Sequence, residues 1–108
     1  MDEPLTDSTY LILLALLKPK HGYVIMKQIN ELSQGTYEID SATMYTILKK
    51  LTKNEMISLE ETTDRKKIYQ ITAKGKTALE KDIQRRKHFF EIGEQIMGEL
   101  GGLADEQT

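Results

Sequence analysis

The sequence predicts a mainly α fold with a small β-hairpin (α+β): three short helices, then the hairpin, then one long helix. Two observations support this prediction. Apolar residues in the segments 41–54 and 76–103 recur at the spacing of an amphipathic helix. The segment 56–72 instead holds two short strand-like runs on either side of a polar turn, which is typical of a hairpin.

Length and composition indicate one globular domain. The chain has 108 residues, of which 39% are hydrophobic and 30% charged. Because it has no cysteine, disulfides, cysteine-containing zinc sites and thiol chemistry are excluded. The longest apolar run, Leu11 to Leu17, is far too short to span a bilayer, and the acidic residues before it do not fit a signal peptide. We therefore expect a cytoplasmic protein with no membrane partner and no cofactor.

The net charge of -2 hides an uneven distribution of charge along the chain. Residues 41–76 hold eight basic and four acidic side chains, whereas residues 88–108 hold five acidic side chains and no basic one. Residues 1–17 are acidic as well. One face of the protein can therefore be positive although the whole chain is not.

The first two predicted helices are short. Asp7 or Ser8 is expected to cap the first helix, and Pro19 ends it, because the residue before a proline is pushed out of helical geometry. The second helix runs over about 23–33 and stops before Gly35. Together with the next helix, these elements resemble a helix-turn-helix unit.

The helix predicted at 41–54 shows the clearest functional pattern. Asp40 or Ser41 can cap its N-terminus. One face is apolar and is expected to meet the core, and it contains Met44, Ile47, Leu48 and Leu51. The opposite face has no acidic residue, and it contains Tyr45, Thr46, Lys49, Lys50 and Lys53. Such a face suits a helix lying in the major groove of DNA, although an ordinary amphipathic helix with a basic outside would show the same pattern.

The hairpin at 56–72 follows this helix directly and has a basic tip. Arg65, Lys66 and Lys67 would reach the backbone phosphates or the minor groove of bound DNA. A solvated turn is the alternative for an isolated hairpin, but two adjacent basic elements favour one shared surface. Helix 41–54 and wing 56–72 together predict a winged helix-turn-helix.

The long final helix predicts a dimer. Its seam has a spacing close to that of a coiled coil and contains Leu79, Ile83, Phe90 and Met97. Its second half is widened by Phe89, Ile92, Ile96 and Leu100. Because that half has nothing in its own chain to pack against, we expect it to pack on the same helix, or on the first helix, of a second copy. The predicted organisation is a winged helix-turn-helix DNA-binding domain at 1–75, a C-terminal dimerisation helix at 76–103 and a disordered tail at 104–108.

Several motifs, in this order, resemble the PadR-like family of winged-helix transcriptional regulators. They are Leu13 to Leu17 with His21-Gly22-Tyr23, then Ser41 to Tyr45 with Leu48 and Leu51, then Arg65 to Tyr69, and finally Ile71-Thr72 with Gly75. The resemblance covers roughly residues 8–97. The family pattern usually has Gly, Pro and Gly where this chain has Ala42, Thr46 and Glu55. Without the last glycine, Asn54 is the expected left-handed residue that ends the helix.

The resemblance implies a homodimeric, usually repressing regulator of double-stranded promoter DNA. Some relatives release DNA when a small hydrophobic or aromatic effector binds. Such a ligand could enter a gap between subunits lined by Phe89, Phe90, Met97 and the first helix. A dimer core that is simply filled is the alternative.

The residues expected to bind DNA lie on the second helix, the third helix and the wing. They are Tyr23, Lys27, Ser41, Thr43, Tyr45, Thr46, Lys49, Lys50, Lys53, Arg65, Lys66 and Lys67. Tyr45, Thr46 and Lys49 are the candidates for base edges, and the other lysines would mainly neutralise phosphates. Thr43 could equally turn toward the core. His21 is expected to make a structural hydrogen bond where its helix starts, and Tyr69 to be half-buried on the hairpin.

Two other classes of function are alternatives to DNA binding. An enzyme is not expected, because the chain has only two histidines and lacks a metal-binding, phosphate-loop or nucleophile motif. The stronger rival is a winged-helix protein-interaction module whose basic face binds an acidic partner instead of specific DNA. Sequence-dependent DNA affinity would distinguish the two.

Overall fold

A computed structural model of the chain describes residues 3–61 and 66–105. These residues form four helices and three short strands, and the predicted mainly helical α+β fold is confirmed. The elements are α1 (Asp7–Ala15), β1 (Lys20–His21), α2 (Gly22–Leu32), α3 (Ser41–Lys53), β2 (Ile57–Glu61), β3 (Lys67–Ile71) and α4 (Ala73–Asp105).

The core lies where α1, α2 and α3 meet the sheet and the start of α4. Eight large side chains in it have almost no exposed surface, namely Ile12, Leu13, Leu16, Ile25, Ile29, Met44, Leu48 and Ile57. Burying a side chain of this kind contributes roughly 1.5–3 kcal/mol relative to leaving it in water. Three of the four residues of the predicted α3 stripe are buried, and Ile47 packs against the same cluster.

Side-chain caps start α1 and α3. The cap of α1 is Thr6, whose hydroxyl accepts the Thr9 N–H at 3.2 Å, so the expected caps Asp7 and Ser8 were wrong by one or two positions. Asp7 instead lies in the first turn. Asp40 caps α3, as predicted, by accepting the Thr43 N–H at 2.8 Å. This hydrogen bond, followed by one from the Thr43 hydroxyl, holds the pKa of the Asp40 carboxyl below its ordinary value.

The sheet has one strand more than the predicted hairpin. Its order is β1-β3-β2, and both pairings are antiparallel. The central residue Tyr69 is paired with Lys20 on one side and with Leu59 on the other. A strand of two residues is too short to show an alternating pattern, which is why the sequence did not reveal β1.

The turn after α3 corrects one expectation. Glu55, not Asn54, has the left-handed backbone, with φ of 61° against -86° for Asn54. The Met56 N–H then returns to the Leu51 carbonyl at 3.0 Å and closes the helix end. The left-handed residue therefore stands where the resembled pattern has glycine, and a side chain is tolerated there at some conformational cost.

Helix α4 begins inside the predicted first domain. Its first turn is capped by Thr72, whose hydroxyl accepts the Gly75 N–H at 3.1 Å and donates to the Glu55 carbonyl at 2.7 Å. Gly75 lies so close to β2 that a Cβ there would stand 2.1 Å from the Met56 carbonyl oxygen. The boundary predicted at 75/76 therefore falls within a helix whose first turns belong to the core.

The two halves of α4 have different surroundings. Leu79 is only 3% exposed and Ile83 is partly buried, and both pack on the core of their own chain, not on the outer face predicted for the dimer seam. Residues 87–100 are exposed. The helix continues to Asp105, two residues into the segment predicted as disordered, because glycines lower helix propensity without removing backbone hydrogen bonds. Residues 106–108 lie outside the described ranges.

Within the described ranges, the helices include none that combines the length and the apolar character needed to cross a membrane.

Candidate nucleic-acid interface

Helix α3 and the hairpin enclose a groove that four of the twelve predicted DNA-binding residues line. Tyr45, Lys49 and Lys53 form its α3 wall. Leu59, Lys67 and Tyr69 form its hairpin wall, and the cavity between the walls has a volume of about 530 Å³. Because Tyr45, Lys49 and Lys53 follow one another at four-residue intervals, they occupy adjacent turns of one helix face.

A smaller cavity of about 230 Å³ continues this groove toward the start of α2. It shares Tyr45, Lys67 and Tyr69 with the larger one and adds Lys66 and the segment 21–23. We call the two cavities together the basic groove. Three elements that are distant in sequence thus meet at one surface: the start of α2, the outer face of α3 and the base of the wing.

The basic groove is positively charged. Four lysines line it, and among its described lining residues there is no aspartate or glutamate. Burial raises the pKa of the Tyr69 hydroxyl, and the neighbouring Tyr45 raises it further. Ammonium groups and phenolic hydroxyls are donors that suit an anionic ligand with several oxygens.

Tyr45 is positioned by a glycine. The backbone of Gly22 is buried beneath the tyrosine ring, and a Cβ at this position would lie 2.7 Å from the Tyr45 hydroxyl oxygen and 3.0 Å from the ring. A side chain at 22 would therefore require the Tyr45 ring to move. Glycine at the first residue of α2 leaves room for the ring in its present position.

Six of the predicted DNA-binding residues meet in the basic groove: Tyr23, Tyr45, Lys49, Lys53, Lys66 and Lys67. Lys50 does not, because it lies on another side of α3. It lines a separate cavity together with residues 3–6, which precede α1 and which we call the N-terminal arm. Lys27 and Ser41 are exposed but lie outside the groove lining. Arg65 lies outside the described residues, so its expected role stays a prediction.

The two threonines predicted at the interface use their hydroxyls locally. Thr43 is exposed instead of turned toward the core, and both its N–H and its hydroxyl donate to Asp40 at 2.8 Å. The Thr46 hydroxyl donates to the Ala42 carbonyl at 2.9 Å. Neither hydroxyl proton is free for a phosphate in this conformation, although the Thr46 oxygen can still accept.

Sequence reasoning gave His21 and Tyr69 structural roles, but both line the groove. Tyr69 is 5% exposed, more buried than the half-buried state that was expected. The side chain of His21 makes no hydrogen bond at the start of α2, contrary to expectation, and its Nδ1 is buried without a partner among the described residues. Its ring instead stacks on Tyr23, with centroids 5.9 Å apart. Pairing of β1 with β3 brings His21 beside Ile68 and Lys20 beside Tyr69. Because β1 has only two residues, the sequence did not reveal this pairing.

The surface of distal α4 is the second unusual feature. Six apolar side chains between residues 89 and 100 are at least 40% exposed, namely Phe89, Phe90, Ile92, Ile96, Met97 and Leu100. Scattered apolar residues are normal on protein surfaces, but a contiguous patch along one helix marks a contact surface. We call these six residues the distal face.

Within the described residues, no group of three potential metal ligands comes together.

Comparison with protein families supports the resemblance noted in the sequence. A model described as "Transcriptional regulator PadR-like family" matches residues 11–81. An uncharacterised protein of Lysinibacillus sphaericus is 29% identical over 91 residues, which are 81% of this chain and 84% of that protein.

Solved structures show the same fold. A PadR-like transcription factor of Bacteroides fragilis has a TM-score of 0.69 and 27% identity, covering 82% of this chain and 87% of that one. Bacillus subtilis PadR, solved in complex with operator DNA, has a TM-score of 0.64 and 31% identity over 72% of this chain. This match covers 46% of the Bacillus subtilis chain.

Proposed function

Because this chain belongs to the PadR-like family of transcriptional regulators, we propose that it is a homodimeric repressor that binds promoter DNA through α3 and the wing. The members of this family are regulators of transcription and not enzymes. The prediction that the chain is not an enzyme is confirmed by its membership of the family. The proposed place of action is the cytoplasm.

The basic groove is the observation on which this proposal rests. Four lysines and three tyrosines from α2, α3 and the hairpin face one side of the molecule. A lone basic helix is a common solvated surface, but here a second and a third element supply further donors. Such a surface suits a helix in the major groove with a wing on the adjacent backbone. Operator binding by the Bacillus subtilis relative supports the same assignment.

Pairing of two chains is supported by the distal face. Its six residues are exposed, as are all the residues from 87 to 100. Packing against the same helix of a second copy would bury this apolar surface and present two basic grooves to one duplex, as palindromic operators require. Pairing through α4 is therefore part of the proposed mechanism.

An added negative charge tests the dimer. Ile96 lies within the distal face, whereas Gln95, which is 100° away on the helix, does not. We expect Ile96→Glu to give a monomeric mass by light scattering at micromolar concentration and Gln95→Glu to keep the dimeric mass. A wild-type protein that is monomeric under these conditions would refute pairing.

A small hydrophobic or aromatic effector is a further part of the proposal, and exposed Phe89, Phe90 and Met97 are the residues that favour it. In the dimer these side chains could line a gap that accepts a planar apolar ligand. Thermal melting with a panel of aromatic carboxylates, together with DNA affinity at the same concentrations, tests this idea. If no compound changed either quantity, the dimer core would be filled and the effector idea would be refuted.

The DNA-binding proposal is tested by fluorescence anisotropy. The protein is titrated against duplex DNA from upstream of its own gene and against a shuffled duplex, at two salt concentrations. We expect tighter binding to the natural fragment and a steep decrease of affinity with salt, because counterions are released from the phosphates. Equal weak binding to both duplexes would instead favour the rival, a winged helix that binds an acidic protein.

A further inference from the structure

A buried carboxylate joins α4 to the N-terminal arm. The side chain of Asp82 is only 3% exposed. It accepts the Leu5 N–H at 3.0 Å, the Arg85 Nη2 and Nε donors at 2.9 and 3.1 Å, and the Arg86 Nε donor at 2.6 Å. All the donors that reach it are backbone N–H or guanidinium groups, so the charge is well compensated despite its burial.

Arg86 extends this link to α1 and the residues before it. Its Nη1 donates to Asp7 at 2.9 Å and its Nη2 to the Leu5 carbonyl at 3.2 Å. The guanidinium carbon also lies 4.1 Å from the centre of the Tyr10 ring. One planar side chain on α4 therefore contacts three residues of the N-terminal arm and α1 while it also binds Asp82.

Arg85 offers an internal comparison. It binds the same carboxylate, but Asp82 lies three residues away on the same helix. Its other described contact, the Phe89 ring at 5.4 Å, is also on α4. Arg85 thus stabilises the charge of Asp82 without connecting α4 to another element, whereas Arg86 makes that connection.

The position of Arg86 along α4 makes its contacts important for the direction in which the distal part of the helix points. The first anchor of α4 is its start, where Thr72 and Gly75 lie against Glu55 and Met56. Arg86 is the last residue with a described contact outside the helix, roughly 21 Å further along at about 1.5 Å per residue. The distal face begins only three residues later. Between these two points α4 is held by Leu79 and Ile83 on the core and by the hydrogen bond from the Leu5 N–H to Asp82. Arg86 is the outermost of these anchors and the nearest to the distal face.

We propose that Arg86 is a positioning residue that fixes the distance between the two basic grooves of the dimer and thereby selects the half-site spacing of the operator. The inference rests on the proposed function, since it requires two chains that pair through α4 and bind one duplex. In the dimer, each α4 connects the basic groove of its own chain to the partner chain. A small change in the direction of α4 therefore moves the partner's groove by a larger distance. Loosening this outermost anchor lets the part of α4 beyond Ile83 bend, so a wider range of spacings can be bound by both grooves at once.

The test uses operator duplexes in which the half-site separation is either natural or lengthened by one to three base pairs, and a duplex with a single half-site. For the wild-type dimer we expect an affinity about 100-fold lower at the wrong spacing, because simultaneous binding of both half-sites is lost. In Arg86→Lys the charge stays but the three-way fork is lost. We expect its contrast between spacings to fall to about tenfold or less, with unchanged affinity for the single half-site.

Arg85→Lys is the matched control and should keep the wild-type contrast. Asp7→Asn removes the charge from the outer bond of Arg86 and so weakens it, at a carboxylate that is 70% exposed. This variant is therefore expected to fold and to lose part of the contrast. If Arg86→Lys were unfolded by circular dichroism, Asp7→Asn would decide. Full contrast in a folded Arg86→Lys would overturn the inference but not the proposed function. A wild-type protein that binds the operator without any preference for spacing would also overturn the inference, whereas equal weak binding to the operator and a shuffled duplex would overturn the proposed function.

Discussion

The Tyr45 ring rests on the backbone of Gly22, so that a methyl group at position 22 would stand 2.7 Å from the tyrosine hydroxyl oxygen. This contact links the first residue of α2 to the centre of the basic groove. It also means that the orientation of Tyr45 depends on the absence of a side chain in another helix.

The first prediction is that Gly22→Ala weakens DNA binding by displacing Tyr45. We expect a loss of about 1–2 kcal/mol in binding free energy, the size of one disturbed interface residue, measured by anisotropy. The same substitution in a Tyr45→Ala background should have little effect, because the displaced group is already absent. Equal losses in both backgrounds would show that the contact does not act through Tyr45.

The second prediction separates two neighbouring lysines of α3. Lys49 lines the basic groove and Lys50 lines the cavity beside the N-terminal arm. Lys49→Ala should reduce the slope of log affinity against log salt by about 1, as expected for one lost phosphate contact. Lys50→Ala should change the slope less. The opposite order would mean that DNA approaches from the side of the N-terminal arm.

The third prediction concerns stability at the start of α4. Gly75→Ala should lower the free energy of unfolding by about 3 kcal/mol, because a Cβ there would overlap the Met56 carbonyl and force an overpacked contact. Gly98→Ala is the control, since it lies on the side of α4 opposite the distal face and nothing is found within 4 Å of its Cβ position, and it should stabilise the helix by up to about 1 kcal/mol. Urea unfolding measures both, and a neutral Gly75→Ala would contradict the close approach of α4 to β2.

The fourth prediction is an acid-dependent loss of stability through Asp82. Burial disfavours its charged form, but hydrogen bonds from Arg86, the Leu5 N–H and Arg85 outweigh that effect and keep the pKa of the carboxyl below its ordinary value. A lowered folded-state pKa stabilises the protein above the unfolded-state value of about 4. This stabilisation is lost as the pH falls through the folded-state pKa.

Asp82→Asn should therefore lower stability near pH 7 and give a Tm that falls less steeply than that of the wild type below about pH 4. We expect a loss of about 2–3 kcal/mol at pH 7, somewhat less than for a fully buried pair, because the Arg85 and Arg86 side chains are 31% and 28% exposed. Glu80→Gln, an exposed carboxylate on the same helix, is the control and should follow the wild-type curve. Identical acid limbs for wild type and Asp82→Asn would contradict the assignment.

Periodicity was sufficient to predict the helices and the hairpin. The apolar stripe of α3 reflects burial on one face, and burial on one face is what a sequence pattern records. In β2 the alternation predicted the strand, although only Ile57 is buried and Leu59 is exposed. The N-cap of α3 was also predictable, because Asp40 precedes the first turn and a short acceptor side chain is needed there.

Contacts between distant segments were not predictable in the same way. Strand β1 is identified by its pairing with Ile68 and Tyr69 of β3, and the contact between Gly22 and Tyr45 exists only because α3 lies beside the start of α2. The role of Leu79 was misjudged for a related reason. An apolar residue on a long helix fits a dimer seam and a monomer core equally well, and only the path of the chain decides which one it meets.

The central claim is that two copies of this chain bind one specific DNA sequence through their basic grooves, and selection from a library of random duplexes tests it most directly. The account predicts enrichment of a two-fold symmetric motif whose half-sites lie about one helical turn apart, near 10 base pairs centre to centre, and loss of that enrichment in Lys49→Ala with Lys67→Ala. If no motif were enriched with folded, dimeric protein, the claim of sequence-specific DNA binding would be contradicted.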